Sequence, residues 1–224
     1  MRIPTVTQCL EFFDRYRMLD NIRLHSLIVA QVAGTLIDGL VAAGRVEKRP
    51  TNRRQVIAGA LLHDIAKSIC LEDGRRHAEV GRQICRDLDF AEIGEIVFEH
   101  VVLSRFTPEL YRRGIFGTKE LVYYADKRVR HDQVVSLADR LDYIITRYGN
   151  SDPSRISFIR RNFQQTLLLE ELLFQFLDFS PAELVSQLPA QTDWLEASLP
   201  GRREAPPPFA GKEGETIHQA KPLT

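Results

Sequence analysis

Cysteine is scarce in this chain, and its three copies form no recognisable pair. Cys9, Cys70 and Cys85 are scattered, odd in number and outside any C-x-x-C motif. Zinc fingers and disulfide-stapled secreted domains depend on such paired cysteines. The pattern therefore argues against those two classes and favours a reducing compartment.

The chain also lacks an excess of charge and a long apolar run. Its 30 basic and 30 acidic residues give a formal net charge of zero, so no global field draws it to nucleic acid or to an anionic membrane. No segment approaches roughly 18 uninterrupted apolar residues, and polar residues interrupt the N-terminal stretch early, unlike a secretory signal. We expect a cytoplasmic protein with no membrane span and no strong nucleic-acid signal.

A helical hydrophobic period is what the chain does contain. Apolar residues recur every three or four positions, while alternating β-branched runs are rare. The pattern predicts an all-α domain over residues 1–150. Its predicted helices span 4–18, 21–43, 53–67, 76–88, 91–104, 118–128 and 133–148.

A strong break separates this domain from the rest of the chain. The segment GNSDPS, residues 149–154, carries turn-forming residues. A C-terminal helical extension is predicted for 151–198, with helices at 155–178 and 181–188, and its Leu and Phe residues would cover the core or form a homodimer surface. Residues 199–224 are rich in proline, glycine and charge, so we predict a disordered tail.

Histidine placement is the most informative feature. Of the six histidines, His25, His63, His77 and His100 lie in or beside amphipathic helical stretches. A buried imidazole without a partner costs on the order of 1–3 kcal/mol, and a single one is usually satisfied by a backbone carbonyl. Four of them in one predicted bundle, with Asp64 beside His63, are better satisfied by metal, because imidazole and carboxylate are ligands for zinc, iron and manganese.

The adjacency of His63 and Asp64 has two interpretations. Neighbours on a helix point about 100° apart, so the two side chains would flank an ion from different sides. The two oxygens of Asp64 could also bridge two ions about 3.5–4 Å apart. The alternative is that His63 is a core residue and Asp64 an exposed polar residue.

The order of these motifs resembles that of the HD-domain metal-dependent phosphohydrolases, in their HDIG-type, two-metal form. LLHDIAK looks like the hallmark segment of that family, with Ala66 in place of a glycine. HSLIVA is similar to the helix of the first ligand, and LVYYADKRV to the helix of the last. HAEVG and EHV resemble the extra histidine positions of two-metal members. The likeness covers about residues 20–148 and implies an HD-domain helical bundle.

The resemblance implies a set of ligands for two divalent ions: His25, His63, Asp64, His77, His100 and Asp126. Four of them, His25, His63, Asp64 and Asp126, would hold the first ion. Asp64 would bridge it to a second ion held by His77 and His100. Mixed histidine and aspartate ligands favour iron or manganese, and magnesium, nickel, cobalt or zinc are compatible with them.

Two residues compete for roles near the last ligand. Asp139, in SLADRLDY, is also an aspartate in a helical apolar context. Asp126 is preferred because it sits where the family's last-ligand helix belongs, which leaves Asp139 to pair with Arg140 or Arg147 on the surface. For His131 we favour a solvated surface position over support of a ligand.

The implied activity is hydrolysis of a nucleotide or another phosphoester or phosphoanhydride by a metal-activated hydroxide. Asp64 and Lys67 would be catalytic, because Lys67 resembles the family's lysine that approaches a substrate phosphate or the bridging solvent. The cationic residues that would bind the substrate phosphate are Lys67, Arg75, Arg76, Arg105 and Lys127. The single histidine at His100, followed by Val101, is more similar to bacterial dinucleoside tetraphosphate hydrolases than to cyclic-dinucleotide phosphodiesterases, although the following VVLS departs from the tetraphosphatase pattern.

Two other functions stay open at this stage. Related helical folds with four histidine and two aspartate ligands hold a di-iron centre that activates oxygen, and the same six residues would suit it. A catalytically silent signalling module is the second alternative, although such proteins usually lack several of the ligands.

Overall fold

The computed structural model of the chain describes residues 2–44 and 52–189, where the regular structure is almost entirely helical. The all-α prediction is therefore confirmed. The helices, in chain order, are α1 Val6–Arg15, α2 Asp20–Ala42, α3 Arg53–Leu62, α4 Lys67–Asp73, α5 His77–Asp87, α6 Ala91–Glu99, α7 Pro108–Tyr111, α8 Thr118–Lys127, α9 Leu137–Tyr148, α10 Pro153–Phe174 and a 3₁₀ turn Leu184–Gln187. Two short strands, β1 Val129–Arg130 and β2 Gln133–Val134, pair antiparallel between α8 and α9.

Local sequence signals explain where several helices begin. The side chain of Asn52 accepts a hydrogen bond from the Arg54 backbone N–H at the start of α3. Asp152 does the same for α10, which carries Pro153 in its first turn. Both arrangements satisfy backbone N–H groups that have no partner within the helix.

The predicted helix over 53–67 is wrong in one respect that matters for the site. α3 ends at Leu62, and α4 begins only at Lys67. Between them the chain forms a tight turn, in which the N–H of Ile65 bonds to the Leu62 carbonyl and that of Lys67 to the Asp64 carbonyl. His63 and Asp64 therefore project from a turn at a helix end and not from the middle of a helix.

Other predicted boundaries also shift. The β1–β2 hairpin replaces the first turn of the helix predicted at 133–148, and Ser136 caps α9 one residue before Leu137. α6 ends at Glu99 and not at 104, and α10 ends at Phe174 and not at 178. The helix predicted at 181–188 is reduced to the 3₁₀ turn.

The long helix α2 lies at the centre of the bundle and packs against α3 and α8. α3 in turn packs on α6 and α8, and α6 packs on α5. These contacts bring one face of α2, the end of α3, the start of α5, the end of α6 and one face of α8 toward a common point. The site described below lies there.

The C-terminal part of the described chain packs on this bundle. α10 contacts α7, α8 and α9, and it belongs to the same compact unit, Met1–Pro189, as the preceding helices. The boundary at 150 stays a prediction. The tail predicted at 199–224 lies outside the described residues, as do 190–198 of the predicted extension.

α2 is also long and apolar enough to cross a membrane by length and composition. Most of its apolar stretch is buried inside the protein, as for Val29, Val32 and Leu36. A central helix of a bundle needs that composition because neighbours cover it on most sides. We therefore describe α2 as a core helix.

Close packing of α5 against α6 depends on Gly94. A Cβ atom at this position would lie 2.9 Å from the Arg82 carbonyl oxygen and 3.3 Å from the Cys85 Cβ. Because the nearest obstacle is backbone, we expect Gly94→Ala to lower the free energy of unfolding by about 1–3 kcal/mol, despite the better helix propensity of alanine. Urea denaturation measures the change. Glu92→Ala, at an exposed position of the same helix, is the control and should stay within about 0.5 kcal/mol; equal effects would show that the helix contact is not tight.

Candidate metal centre

Six side chains that are far apart in the sequence meet inside the bundle. His25 comes from α2, the His63–Asp64 pair from the turn after α3, and Asp126 from α8. The other two are His77, the first residue of α5, and His100, which directly follows α6. All six are buried except His77, which is partly exposed. The structure therefore brings together every residue of the predicted ligand set, although their binding of metal stays a prediction.

The imidazole rings form a continuous row. The ring centroids of His25 and His63 are 5.2 Å apart, those of His63 and His100 are 4.9 Å apart, and those of His100 and His77 are 5.1 Å apart. Asp64 lies along this row and contacts every ring in it.

The two oxygens of Asp64 face different pairs of histidines. Oδ2 is 3.4 Å from Nε2 of His63 and 3.9 Å from Nε2 of His25. Oδ1 is 3.3 Å from Nε2 of His77 and 3.6 Å from Nε2 of His100. The ligand atoms of His25, His63 and Asp64 lie within 4.8 Å of one another, and so do those of Asp64, His77 and His100. The carboxylate thus belongs to two adjoining three-residue groups, each of which could hold an ion.

Asp126 closes the first of these groups. Its Oδ1 lies 3.1 Å from Nε2 of His25 and 3.7 Å from Nε2 of His63. Asp139, its competitor in the sequence, is exposed and receives a hydrogen bond from the Ser136 hydroxyl at the start of α9. The geometry therefore favours Asp126 as the last member of the group.

Backbone carbonyls fix the orientation of three rings. Nδ1 of His25, His63 and His100 lies 3.0, 2.6 and 2.5 Å from a carbonyl oxygen. Since a carbonyl can only accept, each Nδ1 carries the hydrogen, and in the neutral ring Nε2 is left as an electron-pair donor. The accepting carbonyls belong to His131, Ala60 and Val97. Histidines that bind metal are usually oriented by such a hydrogen bond from the ring nitrogen that does not face the ion.

The unpaired atoms of the donor set are suited to a cation. Nε2 of His63 and Oδ1 of Asp64 are buried and have no hydrogen-bond partner among the residues that the structure describes. Nε2 of His25 faces a carboxylate oxygen of Asp126 at 3.1 Å, and both atoms are acceptors when the ring is neutral. Because buried polar groups are rarely left unpaired, these facing electron pairs fit one or more divalent ions.

Both carboxylates favour their charged form. Burial alone would raise the pKa of Asp64, but the positive charge of Lys67 and the contact with His63 bring it well below its usual range. Burial also opposes the ionisation of Asp126, yet the positive charge of Lys127 and the contact with His25 hold its pKa well below the ordinary value. Both residues are therefore anionic at neutral pH, as metal ligands must be.

Burial also favours the metal-binding form of most of the histidines. It lowers the pKa of His77 to about 4 and lowers those of His25 and His100 as well. For His63 burial acts in the same direction, but the charges of Asp64 and Asp126 outweigh it and raise its pKa. The raised pKa of His63 reflects the two carboxylates that face its ring, and their negative charge would also stabilise a bound cation.

Two of the nominated cationic residues lie at the site. Lys67 Nζ is 2.7 Å from Asp64 Oδ2, and its side chain is 31% exposed. Lys127 is buried, and its Nζ donates to the His100 carbonyl at 2.7 Å and to Asp126 Oδ2 at 2.8 Å. The Lys67 side chain therefore lies between the Asp64 carboxylate and solvent, whereas Lys127 links α8 to the residue that follows α6.

The three nominated arginines lie on the surface. Arg75 binds Asp73, Arg76 binds Glu79, and Arg105 is exposed in the segment after α6. Contact of these arginines with a substrate stays a prediction.

Two residues have a role or position that the sequence prediction did not include. The side chain of His131 is exposed as expected, but its backbone carbonyl accepts the hydrogen bond of His25 from a left-handed turn with φ 55°. Arg140, placed on the surface by sequence reasoning, is buried with Nη2 3.7 Å from Asp126 Oδ1. The position of Arg140 three residues after the buried Leu137 of α9 is the signal that would have identified it.

Comparison with known proteins agrees with this geometry. A family model described as "HD domain" matches residues 23–144, more than half of the chain, and the matched region contains all six converging side chains. No curated protein and no solved structure gives a significant match.

Proposed function

The chain belongs to the HD-domain family, and from that starting point we propose that it is a metal-dependent phosphohydrolase with two divalent ions. One observation carries the proposal. The two oxygens of Asp64 are divided between His25 and His63 on one side and His77 and His100 on the other. A carboxylate placed between two groups of imidazoles is the arrangement of a bridging ligand in a two-metal site.

The proposed first ion is bound by His25, His63, Asp64 and Asp126. The proposed second ion is bound by Asp64, His77 and His100, and the partial exposure of His77 makes this the more open half. Iron or manganese suits the mixed imidazole and carboxylate set, and magnesium, nickel, cobalt and zinc are the other metals to load.

When bound, divalent cations lower the pKa of coordinated water and stabilise charge on phosphate oxygens. The residues of the chain supply the rest. The Nδ1 hydrogen bonds keep the Nε2 atoms of His25, His63 and His100 aimed inward. Lys67 holds Asp64 Oδ2, and although burial opposes its charge, the two carboxylates of the site raise the pKa of the Lys67 ammonium group. Lys67 is therefore cationic at neutral pH and can donate to a phosphate oxygen.

The proposed substrate is a small phosphorylated molecule, with a nucleotide as the first choice. A partly exposed lysine side chain beside the bridging carboxylate suits an anionic ligand. The identity of the leaving group, a cytoplasmic location and a homodimer remain predictions from the sequence.

A di-iron oxygenase is the second candidate function. Four histidines and two aspartates converge here, and the same ligand set would hold two irons. Lys67 lies next to Asp64 in either case, so the geometry of the lysine does not separate the two activities. A silent signalling module is less well supported, because every predicted ligand position is filled.

Loading the purified protein with Mn²⁺ or Fe²⁺ tests the proposal directly. We expect about two ions per chain by elemental analysis, and metal-dependent phosphate release in a screen of nucleotides and phosphoesters. Chelation should abolish the release and added metal should restore it. Oxygen uptake by the iron-loaded protein without phosphate release would support the oxygenase instead. Absence of stoichiometric metal would support the silent module.

A further inference from the structure

We propose that Arg140 binds the phosphate group of the substrate, a role that rests on the proposed phosphohydrolase activity. Arg140 lies in the first half of α9, and its side chain is only 9% exposed. Arginine almost always remains charged, and a buried guanidinium group is costly unless its N–H groups have acceptors.

The guanidinium group of Arg140 has a buried N–H that no acceptor in the described part of the chain satisfies. Its Nε is buried and has no hydrogen-bond partner within residues 2–44 and 52–189. Its contact with Asp126, from Nη2 to Oδ1, is 3.7 Å long, which is beyond hydrogen-bonding distance. A ring contact with Tyr143, whose centroid lies 5.5 Å from Cζ, supports the side chain without using an N–H donor. Arg140 is therefore held in place with donor capacity to spare.

Asp126 already has closer partners than Arg140. Lys127 Nζ is 2.8 Å from its Oδ2, and Nε2 of His25 is 3.1 Å from its Oδ1. The other carboxylate of the site, Asp64, has Lys67 at 2.7 Å. Each carboxylate thus has its own lysine, and Arg140 is an additional cation beside the pair. Arg140 shares Asp126 with these closer partners, and its buried Nε donor is left for an anionic ligand.

Arg140 and Lys67 lie beside the same half of the metal centre. Lys67 contacts Asp64 through Oδ2, the oxygen that faces His25 and His63. Arg140 approaches Asp126 through Oδ1, which faces the same two histidines. A phosphate group bound at this half of the site would lie near two cationic side chains, Lys67 beside Asp64 and Arg140 beside Asp126. The planar fork of a guanidinium group suits two phosphate oxygens at once.

The test compares Arg140→Met with Arg147→Met in the manganese-loaded protein. Arg147 is an exposed residue of the same helix and carries the same substitution as a control. Inorganic phosphate is the probe, and calorimetric titration measures its affinity while elemental analysis measures bound manganese. We expect Arg140→Met to keep the wild-type manganese content and to bind phosphate at least about tenfold more weakly, since charge-assisted hydrogen bonds are lost. Arg147→Met should match the wild type in both.

Each other outcome overturns the proposal in a distinguishable way. Unchanged phosphate affinity in Arg140→Met would remove the role of Arg140 while leaving the hydrolase proposal intact. Loss of manganese would assign Arg140 to the positioning of Asp126. Failure of the metal-loaded wild type to bind phosphate would count against the hydrolase proposal itself. If circular dichroism shows that the methionine variant is unfolded, Arg140→Lys is compared with Arg147→Lys; loss of the planar fork should weaken phosphate binding in Arg140→Lys alone, and equal affinities would overturn the role of Arg140.

Discussion

Replacing Asp64 with alanine is expected to abolish metal binding and phosphate release together. Within residues 2–44 and 52–189, Asp64 is the one side chain whose oxygens reach both groups of histidines, at 3.4 Å from His63 and 3.3 Å from His77. Its removal takes a ligand from each proposed ion, so both sites weaken at once. We expect the rate of phosphate release to fall at least about 1,000-fold, because bound cations stabilise the charge of the transition state by several kcal/mol.

Metal content and thermal unfolding test this variant independently of its activity. Ions that bind only the folded state stabilise it by about 2.7 kcal/mol at 100 times their dissociation constant, so Mn²⁺ should raise the melting temperature of the wild type and not that of Asp64→Ala. Asp139→Ala is the matched control, because Asp139 is exposed and lies outside the cluster. Asp64→Asn repeats the test at nearly constant volume. Wild-type metal content or wild-type phosphate release in the Asp64 variants would refute the proposed bridging role.

Replacing Arg128 with methionine is expected to have the largest effect on stability. This buried guanidinium group donates to the Val135 carbonyl at 2.8 Å, to Glu170 at 2.9 Å and to the Pro181 carbonyl at 2.9 Å, and it also contacts the Tyr124 hydroxyl. It therefore links α8 to the hairpin, to α10 and to the segment that follows α10. Loss of one partner from a buried ion pair typically costs about 3–5 kcal/mol, and we expect a loss near the lower end because Glu170, whose side chain is 18% exposed, is left without its counter-charge.

Urea denaturation of Arg128→Met measures this loss. Arg53→Met is the matched control, since the two hydrogen bonds of Arg53 with Asp38 are equally well formed but about half exposed. We expect the control to lose less than about 1 kcal/mol. Similar losses in the two variants would mean that the Arg128 network is no more important for stability than a surface ion pair.

Much of the site could be predicted because its ligands belong to local patterns. His25 lies in a stretch with an amphipathic helical pattern, and the His63–Asp64 pair interrupts an apolar run. Both features are visible in the neighbouring residues. Burying polar or charged groups costs free energy unless they are paired, and a shared cation would pair them. Asp126 needed the resemblance to a known family, because aspartate in an apolar helical context also describes Asp139.

The predicted helix ends were less accurate for an equally physical reason. Hydrophobic period does not distinguish a helix from a tight turn of the same composition, so the break between Leu62 and Lys67 was missed. The β1–β2 hairpin was missed because its strands are two residues long. Yet this hairpin supplies the His131 carbonyl that orients His25.

The sequence by itself determined the helical class and drew attention to the four histidines and Asp64, because hydrophobic period and residue chemistry are local properties, whereas the choice of Asp126 came from the resemblance to a known family. Only the tertiary structure decided that the oxygens of Asp64 divide between two pairs of histidines, and that Arg140 is buried beside Asp126. Those features depend on how α9 and the turn after α3 pack against helices distant in the chain. Distances between such elements are set by the packing of the whole bundle, which no short stretch of sequence encodes.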